Sequence, residues 1–201
     1  MGYDAIFIYM NIFNNRISGA EYQLESAYVR AYLNKRGLKT VQYINKDLGN
    51  YKAIINEISS MKTRSCVFYI NEYNYYINKI LINSIKKINP DIRIFAMGPS
   101  IKSFSNEIIN DVAIDVCINE SEAFTLERLL TTHKDLRSIS NITFREGDGV
   151  YSTEKHSYKY TLDDLGLIYS EGVIPIEEVQ NVGMVSSVGC YGNCSFCSYH
   201  L

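Results

Sequence analysis

With 201 residues, 46% of them hydrophobic, the chain has enough apolar material for one full globular domain and part of a second. Its formal charge of -2, with the lysines scattered along the chain, gives no electrostatic case for gripping a nucleic-acid backbone, so nucleic acid is not an expected partner. No stretch approaches the roughly eighteen uninterrupted apolar residues of a membrane span, and Met1 to Asp4 form no basic leader, so a cytoplasmic protein without a membrane partner is expected.

Short apolar runs alternate with helical patterns, which is the mark of an α/β domain with a parallel sheet. Ala5 to Tyr9 is a near-continuous apolar run, as expected of a strand covered on both faces, and the polar loop Asn11 to Gly19 follows it. A helix is expected from about Ala20, closing at Gly37, then a strand over Leu38 to Ile44. Ile54, Ile55 and Ile58 fall at helical spacing within Tyr51 to Met61, and Ser65 to Ile70 makes a third strand with the exit loop Asn71-Glu72-Tyr73-Asn74. The helix Tyr75 to Ile88 ends at Asn89-Pro90, and Ile92 to Met97 is a fourth strand leaving through Gly98-Pro99-Ser100. A helix over Phe104 to Ile109, a strand over Ala113 to Ile118 and a helix over Ser121 to Leu130 complete a five-stranded Rossmann-like pattern.

The pattern changes after residue 135. Ile139 to Arg145 and Val150 to Ser152 flank Glu146-Gly147-Asp148-Gly149, which suits a tight hairpin and reads as an appendage. A linker containing Pro175 then leads to a strand over Gly183 to Val188. The expected organisation is an α/β domain over 1–135, a hairpin and linker over 136–180, and the start of a second domain over 181–201.

That last strand ends in the most specific feature of the chain, Cys190-Tyr191-Gly192-Asn193-Cys194-Ser195-Phe196-Cys197. Three thiolates within eight residues can hold three irons of a [4Fe-4S] cluster and leave the fourth open to a substrate. A structural zinc site completed by His200 competes with this, although zinc sites usually pair two chelating knuckles across a longer span. Cys66 and Cys117 lie within strand patterns and are expected to be core. His133 and His156 stand in polar segments and are expected to be solvated.

The pattern CxxxCxΦC, with Phe196 as the aromatic Φ, resembles the signature of radical S-adenosylmethionine enzymes. The order of an α/β domain, the turn Ile118 to Phe124, the Leu162-Asp163-Asp164 linker and the cysteine strand resembles the cobalamin-binding subclass over nearly the whole chain. The resemblance implies that Cys190, Cys194 and Cys197 ligate the cluster, that Phe196 packs near the adenine of S-adenosylmethionine, and that the chain ends at the first strand and cluster loop of a partial TIM barrel. It implies an enzyme, with methyl transfer to a small-molecule or peptide substrate as the expected reaction and flavodoxin or ferredoxin as electron donor. The 201-residue chain alone is expected to be inactive.

Ligands of open parallel sheets sit beyond the carboxyl ends of the strands. Corrin contacts are therefore expected from Asn71, Glu72, Gly98, Pro99, Ser100, Asn119 and Glu120. The sequence departs from the subclass in having Met97-Gly98-Pro99 and Asn119-Glu120-Ser121-Glu122 at the turns after the fourth and fifth strands. None of these loops offers a His, so a bound corrin is expected to lack imidazole coordination. Gly98-Pro99 can equally be a plain strand-to-helix turn, and Glu120 and Glu122 can serve as helix-end charges. A non-catalytic cobalamin or small-ligand module and a zinc-stapled interaction domain are the alternative functions.

Overall fold

The computed structural model describes residues 2–10, 23–44, 51–132, 135–158, 161–179, 182–186, 192 and 194–195. Its elements are β1 (Ala5–Tyr9), α1 (Leu24–Lys35), β2 (Thr40–Ile44), α2 (Tyr51–Ser60), β3 (Ser65–Tyr69), α3 (Tyr75–Ile88), β4 (Arg93–Met97), α4 (Pro99–Asp111), β5 (Val116–Ile118), α5 (Glu122–Thr131), β6 (Ile142–Glu146) and β7 (Gly149–Ser152). Short 3-10 turns occupy Leu136–Ser138, Leu162–Leu165 and Ile176–Glu178. Among the described residues no helix is long and apolar enough to cross a membrane.

The strands form one sheet in the order β2-β1-β3-β4-β5-β6-β7. The first five are parallel, whereas β5–β6 and β6–β7 are antiparallel pairs. This corrects two expectations: the sheet has seven strands in place of five, and the hairpin continues the sheet where an appendage was expected. The cause is visible in the register. Phe7 lies opposite Val67, Val67 opposite Phe95, Phe95 opposite Val116, and Val116 opposite Phe144 of the hairpin. None of the five is more than 1% exposed. Phe144 thus extends the apolar row of the parallel strands, and a buried phenylalanine contributes roughly 1.5–3 kcal/mol, enough to hold β6 on the edge.

Helices cover both faces. Val29, Tyr32 and Leu33 of α1 and Ala123, Leu126 and Leu129 of α5 pack on the face that carries Phe7, Val67 and Phe95. Residues of α2, α3 and α4, among them Ile58, Leu81 and Ile101, cover the opposite face with Ile6, Cys66, Phe68 and Cys117. The two strand cysteines are core, as expected, and burial pushes each thiol up to about 12. Helix α4 starts earlier than its periodicity implies, at Pro99, because proline suits a first helical position; it kinks at Phe104, whose φ of -136° is non-helical.

Over the described residues 161–179 and 182–185 the chain lies against α1. Ile168, Val173 and Ile174 pack on the small side chains Ala27 and Ala31, and the Arg30 guanidinium, 7% exposed, donates to the Val173 carbonyl at 3.3 Å. The strand expected over Gly183–Val188 is absent from its described part, 183–186, because its backbone groups pair with side chains. The Gly183 carbonyl accepts from the Tyr169 hydroxyl at 2.6 Å, and the Val185 N–H donates to the Tyr28 hydroxyl at 3.3 Å.

If the hairpin is integral to the core, Phe144→Ala should cost about 3–5 kcal/mol in urea unfolding while the transition stays single. A loss below about 1 kcal/mol would mark β6 and β7 as the appendage that the turn pattern alone implies.

Candidate functional site at the carboxyl edge of the sheet

The strand order reverses between β1 and β3, which makes their carboxyl ends the topological switch point where open α/β sheets bind ligands. The last residues of these two strands are Tyr9 and Tyr69, whose rings meet edge to face with centroids 6.0 Å apart. Both phenols are pushed above the usual range, first by burial and then by the carboxylate of Glu25 in the first turn of α1. Glu122 at the start of α5, and more weakly Glu72 after β3, also act on Tyr69. Two helix starts and the β3 exit therefore lie around a pair of neutral tyrosines at the carboxyl end of the sheet, where a ligand crevice of such a sheet is expected. Tyr9, Tyr69 and Glu25 escaped the sequence reading, since a tyrosine ending an apolar run looks like core; the available signal was its place at the end of a strand beside the order reversal.

The expected corrin residues all lie at this edge but differ in what they have free. Asn71 Oδ1 accepts the N–H groups of Tyr73 and Asn74 at 3.1 and 3.0 Å, so it closes its own turn. Glu72 stands exposed at the tip. Gly98 has a φ of 111°, and a Cβ there would lie 2.6 Å from the Ile70 carbonyl oxygen and 3.3 Å from the Tyr69 ring. The glycine is thus demanded by the close approach of β3's exit. Pro99 is exposed and Ser100 half-buried, its N–H donating to the Ile70 carbonyl at 3.3 Å.

At the end of β5, Asn119 donates through Nδ2 to Thr143 Oγ1 at 3.0 Å, while its buried Oδ1 has no partner among the described residues. A buried carbonyl oxygen left unpaired costs about 1–3 kcal/mol, which a ligand amide N–H would recover. Beside it Ser121 is held in the left-handed region at φ 51° and Asn141 at φ 67°. Such conformations store strain of order 1–3 kcal/mol and cluster at functional sites. Glu120 is paired with Lys155 at 3.4 Å and Glu122 with Lys102 at 2.7 Å, so neither is a free carboxylate. Asn119 shares the α4 face with Cys117 and Thr143, whereas Tyr9 and Tyr69 face α1 and α5. One loop edge therefore presents polar groups on both sides of the sheet, and its spare acceptor and neutral floor fit the amide-fringed, largely apolar outline of a corrin.

Of the cysteine motif, Cys194 is described and exposed. Cys190, Cys197, Phe196 and His200 lie outside the described residues, as do the loop Asn11 to Gly19 and His133. Among the described residues no group of three or more metal-ligating side chains is gathered. The donor set itself, three thiols within eight residues, fits an iron–sulfur cluster.

Solved structures with the same fold decide the class of architecture. The chain superposes on the radical S-adenosylmethionine methyltransferase TsrM from Kitasatospora setae, with cobalamin and a [4Fe-4S] cluster bound, at a TM-score of 0.65 and 12% identity, over 80% of this chain and 30% of that one. It superposes on the cobalamin-dependent S-adenosylmethionine radical enzyme OxsB, with aqua-cobalamin bound, at 0.60 and 17% identity, over 77% and 22%. The likeness is one of fold. The chain spans less than a third of the length of either protein. No family model matches the sequence, and no curated protein sequence matches it.

Two outcomes test the edge geometry. Gly98→Ala should lose about 2 kcal/mol or more in denaturant unfolding, since it adds a left-handed side chain against a backbone oxygen; a neutral result would show that the β3 and β4 exits do not touch. For the tyrosines the sign follows from raised values. The neutral phenol is favoured in the folded state, so this stability is whole below pH about 10 and falls as pH climbs through the raised folded values. An alkaline ultraviolet titration should show a late-ionising class of tyrosines that loses two members in the Tyr9→Phe, Tyr69→Phe double variant. An unchanged late class would place both rings in solvent.

Proposed function

We propose that the chain is part of a cobalamin-dependent radical S-adenosylmethionine enzyme in which Cys190, Cys194 and Cys197 hold a [4Fe-4S] cluster and the carboxyl edge of the sheet holds the corrin. What supports this is a coincidence of independent signals. A cysteine pattern that resembles the radical family stands in a chain whose coordinates share the fold of two cobalamin-dependent members. When bound, the cluster would supply the electron that cleaves the sulfonium of S-adenosylmethionine, and cobalamin a methyl carrier or redox partner.

The roles left to this chain's residues are holding and shielding. Three thiolates anchor three irons, and Phe196 between the last two offers an apolar face to the adenine. Asn119 Oδ1 accepts an amide N–H at the rim. Tyr9 and Tyr69 stay un-ionised near neutral pH and would offer the bound group two phenol rings, with Glu72 and Pro99 exposed at the same edge. Methyl transfer to a small-molecule or peptide substrate, with electrons from a flavodoxin or ferredoxin, completes the proposal.

Anaerobic reconstitution with iron and sulfide should give a broad charge-transfer absorbance and roughly four irons per chain, both lost in Cys194→Ala. Hydroxocobalamin added to the folded chain should travel with it through gel filtration. Stoichiometric zinc with no iron–sulfur absorbance would overturn the cluster assignment and favour a zinc-stapled domain. Release of all corrin on the column would overturn the second cofactor.

A further inference from the structure

The segment after the hairpin makes a directed journey along α1 that neither cofactor requires by itself. It begins at the helix's C-terminal end, where Asp164 lies within the field of Lys35 and Arg36. It passes Ala31, 3.2 Å from a Cβ built at Gly166, and Arg30, which holds the Val173 carbonyl. It ends on the first two turns, where Gly183 would meet the Leu24 side chain at 2.9 Å if it carried a Cβ, and where Tyr28 and Tyr169 bond the backbone of Val185 and Gly183. Those first turns stand at the carboxyl edge of the sheet, because the other end of the helix, at Asn34, accepts hydrogen bonds from Thr40 at the start of the parallel strand β2.

We propose that the described residues 161–179 and 182–185 form a positioning strap, latched to α1 by the Tyr28 hydroxyl and braced within itself by that of Tyr169, that delivers the cysteine loop to the same edge of the sheet as the candidate corrin site. Chain length makes the delivery tight. Cys190 is five residues beyond Val185, and five residues reach at most about 18 Å. The strap earns its place through side chains that a plain linker would not need. A small-residue face on α1 admits its side chains Ile168, Val173 and Ile174 closely, a buried guanidinium holds its middle by a backbone carbonyl, and at its end Tyr28 of α1 holds the Val185 N–H while the strap's own Tyr169 braces the Gly183 carbonyl. Tyr28 and Tyr169 are positioning residues, since each acts through the backbone group it bonds.

This rests on the cluster reading only for what the strap carries, and two measurements separate the strap from the cargo. In the first, the full chain with Cys190, Cys194 and Cys197 changed to Ser takes nitroxides at Glu72→Cys and Met184→Cys, both exposed positions, while buried Cys66 and Cys117 stay unlabelled. Pulsed dipolar spectroscopy should give one narrow distance, and Tyr28→Phe with Tyr169→Phe should broaden and lengthen it. A broad distribution in the parent, or a narrow one surviving in the double variant, overturns the latch whether or not iron ever binds. In the second, the iron-reconstituted chain with the cysteines intact carries a nitroxide at Glu72→Cys alone. Reduction of the cluster should speed that label's relaxation several-fold in the parent and much less in the double variant. A loaded cluster that leaves the label's relaxation unchanged in the parent overturns delivery to this edge; a chain that takes up no cluster overturns the cluster reading and leaves the first measurement to decide the strap.

Discussion

The row of Phe7, Val67, Phe95, Val116 and Phe144 is the constraint on which the remaining structure depends. Side chains alternate between faces along a strand, so a shift of one residue in any pairing would turn that strand's apolar set towards the wrong helices. Five buried side chains in register across five strands make such a slip costly at every step. They also set the height at which each strand stops. Tyr9, Tyr69 and Met97 end adjacent strands at closely matched levels, so the loops that follow stand side by side at one edge. The crevice is a consequence of register before it is a consequence of any polar residue.

The two faces of the sheet carry different burdens. The side covered by α2, α3 and α4 is closed by isoleucines and takes no later segment of the described chain. On the other side α1 is packed on both flanks. Its inner flank, through Val29, Tyr32 and Leu33, belongs to the sheet's core, and its outer flank, through Ala27 and Ala31, receives the segment after the hairpin. This explains why α1 shows only an approximate amphipathic stripe. A helix buried on two sides spreads its apolar residues around its circumference.

Much of the fold was legible because parallel strands buried on both faces write themselves as apolar runs. Ser65-Cys66-Val67-Phe68-Tyr69 and Arg93-Ile94-Phe95-Ala96-Met97 stand where the pattern puts them. What could not be read was which edge a hairpin joins, since Ile142 and Phe144 look alike whether their partner is a helix or a strand. The first turn of α4 was hidden because Gly98-Pro99-Ser100 reads as a turn, although Ile101, Phe104 and Ile108 keep helical spacing and Pro99 takes a first helical position. The extended look of residues 183–186, the described part of the expected strand, misled for a related reason: backbone groups satisfied by two tyrosine hydroxyls leave the same local pattern as groups satisfied by a strand. At the site, Gly98 and Asn119 were placed correctly at the edge by topology alone. Their different states, one locked against Ile70 and the other holding a spare acceptor, depend on distances that no spacing rule encodes.

One helix therefore serves two structures. Leu24, Glu25 and Tyr28 occupy little more than one turn of α1; the charge of Glu25 bears on the tyrosines that end β1 and β3, while Leu24 and Tyr28 meet the end of the strap. A helix is stiff along its axis, and α1 is fixed to the sheet by its fully buried inner flank, so a group held by its first turn and a chain held by its second cannot move far apart. Two hydrogen bonds are a modest tether energetically, each of order 1 kcal/mol net. Their leverage comes from placement. With the middle of the strap already held by Arg30 and the alanine face, little conformational entropy remains to be lost in seating its last residues, and weak bonds suffice to choose one path over many. If a cluster and a corrin are to act on one substrate, their separation has to be set by the protein before the substrate arrives, and among the described residues the first two turns of α1 join the carboxyl edge of the sheet to the last residues ahead of the cysteine motif.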